Sequence, residues 1–83
     1  MTQGWLKCRI LKGMFTDERV VVFHNCNGER YSEFVPADRV RGDIDSEGAV
    51  SVVVYHKDGS SFAELPTEYG ELYAVKEGDL VSQ

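Results

Sequence analysis

Two dipeptides, Asn27-Gly28 and Asp58-Gly59, each sit between runs of alternating apolar and polar residues, and they constrain this chain more than any other feature. Asn-Gly and Asp-Gly tolerate the positive φ that a tight hairpin turn demands. The flanking runs repeat with period two, the spacing of a half-buried strand. Trp5 to Leu11 sets Leu6, Cys8 and Ile10 against Lys7 and Arg9. Arg19 to Cys26 is β-branched and aromatic through Val20, Val21, Val22 and Phe23, and Ala49 to His56 carries Val50, Val52, Val53 and Val54. Such residues suit a pleated, half-buried surface. No segment patterns as an amphipathic helix longer than one or two turns.

Tight turns also predict registers. A two-residue type I′ turn at Asn27-Gly28 sets Cys26 opposite Glu29, His24 opposite Tyr31, Phe23 opposite Ser32 and Val21 opposite Phe34. Val21, Phe23 and Phe34 then share the expected core face, and Val22, His24, Tyr31 and Glu33 the other. The same turn at Asp58-Gly59 pairs Lys57 with Ser60, Tyr55 with Phe62, Val54 with Ala63 and Val52 with Leu65. Val50, Val52, Val54, Ala63 and Leu65 are then inward, and Val53, Tyr55 and Phe62 outward. Pro36 and Pro66 end strands because proline has no N–H for a ladder. Ala37 to Arg41 reads as a turn or brief strand, and Gly42 to Gly48 as an acidic loop. Leu72 to Val75 is a short strand, Lys76 to Asp79 a turn, and Leu80-Val81 a last apolar pair.

An 83-residue chain has room for one core, and 42% hydrophobic residues suffice to build it. The expected fold is therefore all-β: one domain over residues 1–83, a five- to six-stranded, partly open SH3-like barrel. An OB-like barrel or a small sandwich is the alternative. A domain this small is marginal alone, which leaves homodimerisation open.

The net charge is −5. Residues 1–42 carry seven Lys/Arg and five Asp/Glu, for +2, and residues 43–83 carry two Lys and nine Asp/Glu, for −7. In a domain this small the halves lie within about two Debye lengths of each other, so the asymmetry reads as a solvated acidic face. That balance disfavours nucleic acid, whose binding rests on phosphate neutralisation by Lys and Arg. A local basic patch of Lys7, Arg9, Lys12, Arg39 and Arg41 is the alternative. No stretch has the ~20 apolar residues of a membrane span. The first ten residues include Lys7 and Arg9 and lack the apolar run of a signal peptide. Two cysteines in that setting read as reduced thiols of a cytoplasmic protein.

Three constellations invite chemistry. Asp43-Ile-Asp45-Ser-Glu47-Gly48 matches the opening of a calcium loop, but its twelfth position, a bidentate Glu in working loops, is Val54. Cys8, His24, Cys26 and His56 are zinc-competent residue types without the close cysteine spacing of structural sites. His24 and Cys26 read as sharing a face of one strand; the other two come from elsewhere. A disulfide between Cys8 and Cys26 is disfavoured, because strand pairing sets Cys8 near Val21 or Val22. No nucleophile–base pair, phosphate-cradling loop or cofactor motif is present. No catalytic residue, metal or cofactor is expected.

Lys12-Gly13-Met14-Phe15 leading into Val20-Val21-Val22 resembles the strand–turn–strand unit of ribosome- and transcription-associated barrels. The resemblance covers fewer than twenty residues and lacks their basic surface and second glycine, so it implies fold alone. Nine aromatic residues remain, four of them tyrosines that suit a half-wet position. The expected function is a non-catalytic protein- or peptide-interaction module, docking on Val53, Tyr55 and Phe62. Asp58, Glu64 and Glu68 nearby favour a partner with a basic rim. A nucleic-acid- or ribosome-associated barrel is the alternative.

Overall fold

The computed structural model describes residues 1–82. The regular structure of the described chain is nearly all strand: β1 (Thr2–Lys12), β2 (Glu18–His24), β3 (Arg30–Pro36), β4 (Val40–Arg41), β5 (Ser46–Lys57), β6 (Ser60–Glu64), β7 (Leu72–Val75) and β8 (Leu80–Ser82). Two single 3-10 turns, Ala37–Arg39 and Glu77–Asp79, interrupt them, and no α-helix occurs among the described residues. All neighbours are antiparallel, in the order β3-β2-β1-β5-β6-β7, with β4 added on β5 and β8 on β1. The sheet curls into a half-barrel, the small β architecture expected from the alternation.

The concave face is the core. Leu6, Cys8 and Ile10 of β1 meet Val21 and Phe23 of β2, Val50, Val52 and Val54 of β5, and Ala63, Leu65 and Val75. The inward set expected for the second hairpin is buried throughout. Its register is also as expected, from Lys57↔Ser60 to Val54↔Ala63. Asp58 (φ 52°) and Gly59 (φ 80°) both occupy the left-handed region that a type I′ turn requires.

The first hairpin departs from expectation by one residue. The ladder pairs His24 with Arg30, Phe23 with Tyr31, Val21 with Glu33 and Val20 with Phe34. Only Gly28 takes positive φ (82°); Asn27 does not. The loop is Cys26-Asn27-Gly28, closed by the Asn25 N–H donating to the Glu29 carbonyl at 2.9 Å and the Gly28 N–H to the Asn25 carbonyl at 3.0 Å. That is a three-residue turn with a left-handed third residue. Asn25 selects it. Its Oδ1 accepts the N–H groups of Asn27 (2.9 Å) and Glu29 (2.8 Å), and its Nδ2 donates to Glu29 Oε1 (2.8 Å).

A one-residue slip moves every side chain of β3 to the opposite face. Tyr31 and Val35 therefore turn toward the core, and Phe34, expected inside, is 53% exposed. His24 ends β2, so Cys26 lies in the loop rather than on a strand face shared with His24.

The stretch expected as an acidic loop, 42–48, is half strand, because β5 begins at Ser46. Gly48 explains this. A Cβ there would lie 2.2 Å from the Arg41 carbonyl oxygen and 2.4 Å from Ile10 Cδ1. Gly48 thus serves close approach between β4, β5 and β1, not the sharp turn of a cation loop. Glu47 faces Arg9 across the ladder, with Oε2 3.4 Å from its Nη1.

Candidate functional site

The ladders bring the three expected site residues together on the convex face. Tyr55 of β5 lies opposite Phe62 of β6, and Val53 lies opposite Glu64. All three are half-buried. The Tyr55 hydroxyl donates to Glu64 Oε1 at 2.7 Å, which ties the ring down along the sheet. Accepting carboxylate and partial desolvation hold the Tyr55 hydroxyl above its ordinary pKa, so it stays a donor.

The next strand extends this surface. Because β7 pairs Leu72 with Glu64 and Ala74 with Phe62, both point outward beside them. Leu72 is 55% exposed. Tyr55, His56, Lys57, Phe62 and Leu72 line an open depression of about 380 Å³. Tyr55, Phe62 and Leu72 make its lining largely apolar, with His56 and Lys57 as the polar members. Leu72 was not legible as a site residue, because its place depends on the β6–β7 register and no short turn sets that register.

The alternative basic residues do not form one patch. Lys7 and Arg9 project from the convex face of β1, and Lys7 shares a row with Ala49 and Arg41. Arg9 is engaged with Glu47 and with the Asp45 carbonyl, and the Arg41 guanidinium lies 4.1 Å from the centre of the Trp5 ring. Lys12 falls two residues beyond Ile10 in the β1 alternation, on the opposite face from Lys7 and Arg9. Arg39 sits in the 3-10 turn beside Pro36 and Thr67.

The zinc-competent residue types are dispersed. Cys8 is buried in the core, Cys26 and His24 are exposed at the tip of the first hairpin, and His56 closes the far end of β5. Both cysteines are free thiols. Burial, reinforced by the Glu47 charge, pushes the Cys8 thiol up to about 12. Among the described residues no three His, Cys, Asp or Glu side chains converge as metal ligands, and no helix is long and apolar enough to cross a membrane.

Two polar clusters escaped the sequence reading. At the open seam of the half-barrel, the Tyr73 hydroxyl meets Glu33 of β3 and, at 2.9 Å, Glu71. Its ring packs edge-on to Phe23 and against Tyr31. Desolvation first, and then the Glu71 carboxylate, raise the Glu33 carboxyl above its ordinary value; the Tyr73 bond opposes them. At the other end, Ser61 donates to Glu77, whose Oε2 lies 3.5 Å from His56 Nε2. Serine and imidazole both address the carboxylate there, so the imidazole does not stand between them as a general base would.

No family model matches the chain. Neither a curated protein nor a solved structure is significantly similar to it.

Proposed function

We propose that this domain is a non-catalytic interaction module that binds a protein or peptide on the convex face formed by Val53, Tyr55, Phe62 and Leu72. One observation carries the reading. Among the described residues, the C-terminal strands do not fold over this face. Instead, β7 joins the sheet beside β6 and adds Leu72 and Ala74 to the same surface, while β8 runs along β1. A contiguous apolar surface that is half-buried at Val53, Tyr55 and Phe62 and exposed at Leu72 suits a place where something docks. Tyr55 suits the role, since its ring offers apolar area at low entropic cost and its hydroxyl is already satisfied by Glu64.

The test is affinity capture with the intact chain alongside Phe62→Ser and Leu72→Ser. Captured partners should be lost from both variants while melting temperature and circular dichroism stay close to the parent. Capture that survives both substitutions would sink this assignment of the face. A monomer–dimer shift abolished by the same substitutions would name a second copy as the occupant.

A further inference from the structure

We propose that the open edge of β3 accepts an extended, basic segment of a partner protein as an added strand, at a site separate from the Tyr55–Phe62 face. β3 ends the strand order and pairs with β2 alone. The Asn25–Glu29 pair is hydrogen-bonded, and antiparallel ladders alternate bonded and non-bonded pairs. Tyr31, Glu33 and Val35 therefore bond to β2. The N–H and C=O groups of Ser32 and Phe34 point away from it. Among the described residues, no backbone bond from a turn or loop reaches those four groups. Ser32 and Phe34 are both exposed.

The surroundings select the occupant. Beside the C-terminal half of β3 lies an open cleft of about 290 Å³ lined by Phe34, Pro36, Pro66, Glu68, Asp17 and Glu18. Three carboxylates and no cation line it. A strand added here has two sides. Its residue opposite Phe34 points to the convex face, where Phe34 continues a row with Val20 and Leu11. Its residue opposite Glu33 points the other way, toward the Glu33–Tyr73–Glu71 cluster. The matching pattern is apolar at one position and Lys or Arg at the next, in period two. A second copy of this chain fits poorly, since it would bring its own acidic cleft against the first and both copies carry −5.

The experiment titrates 15N-labelled chain with a capped peptide of alternating lysine and valine, and with its glutamate-for-lysine counterpart. The lysine peptide should shift Ser32 and Phe34 amides saturably and slow their hydrogen exchange. The glutamate peptide should do neither. Ser32→Pro removes one outward donor at a position where an edge strand tolerates proline, and should abolish the effect. Glu68→Lys leaves the strand untouched and should weaken binding about two- to fivefold, the scale of a surface ion pair. Phe62→Ser should leave peptide binding intact, which separates this site from the convex face. Equal binding of both peptides, shifts centred on Tyr55 and Leu72, or protection of Ser32 that grows with protein concentration alone would each overturn the proposal.

Discussion

Replacing Asn25 by alanine tests the reason the first hairpin adopts its register. Asn25 is only 9% exposed, and its side chain makes three hydrogen bonds inside the turn, two of them from backbone N–H groups. A net intramolecular hydrogen bond contributes about 1 kcal/mol, and a donor left without a partner costs about 1–3 kcal/mol when buried. Asn27 and Glu29 are exposed, so water replaces part of what is lost. The expected loss for Asn25→Ala is therefore about 1.5–2.5 kcal/mol. At about 4–8 °C per kcal/mol for a domain of this size, melting should fall by roughly 6–20 °C. Asn25→Asp keeps the acceptor oxygen but sets a second carboxylate against Glu29, and should recover about half of the loss at low pH, where that repulsion is relieved. Urea unfolding gives the free energies, and cross-strand NOEs between Phe23 and Tyr31 report the register. A loss below about 0.5 kcal/mol, with those NOEs unchanged, would show that Asn25 does not select the turn.

Four further outcomes are expected. Gly28→Val forces a β-branched residue to positive φ and should cost about 1–2 kcal/mol or more, read by the same urea titration. In the native state iodoacetamide should modify one thiol per chain, the exposed Cys26, while buried Cys8 reacts only on unfolding; mass spectrometry counts the adducts. Glu33, raised above 4.5 in the fold, contributes stability that is complete below pH 4.5 and lost as pH rises through its folded value. Glu33→Gln mimics the protonated form, so it should match the parent at pH 4 and exceed it in melting temperature at pH 7. Glu77, lowered by Ser61 and then by His56, has the opposite sign: its contribution is present above 4.5 and disappears as pH falls through its folded value, so Glu77→Gln should narrow the gap to the parent as pH falls.

Alternation and turn chemistry by themselves determined most of this fold. The second hairpin was legible in full because Asp58-Gly59 has one low-energy way to reverse the chain. That turn type sets the register, and the register sets which residues face inward. Val53, Tyr55 and Phe62 follow from the same arithmetic. The first hairpin was legible as a hairpin but not in its register, because a buried side chain outside the dipeptide, Asn25, stabilises a loop one residue longer. That single residue moved Phe34 from core to surface and Tyr31 from surface to core.

The rest needed tertiary structure, for a shared physical reason: these features join segments far apart in the chain, and no local turn sets their spacing. Gly48 reads as a turn residue until Arg41 and Ile10 are packed against it. Leu72 enters the convex face only through the β6–β7 ladder, and Glu33 meets Tyr73 and Glu71 only across the seam. The scattered placement of Lys12 and Arg39 relative to Lys7, Arg9 and Arg41 follows from strand parity and curl. The open edge of β3 exists because β3 and β7 stand at opposite ends of the strand order and share no backbone ladder; the Tyr73–Glu33 contact and the bond from the Cys26 N–H to the Ala74 carbonyl cross the seam instead.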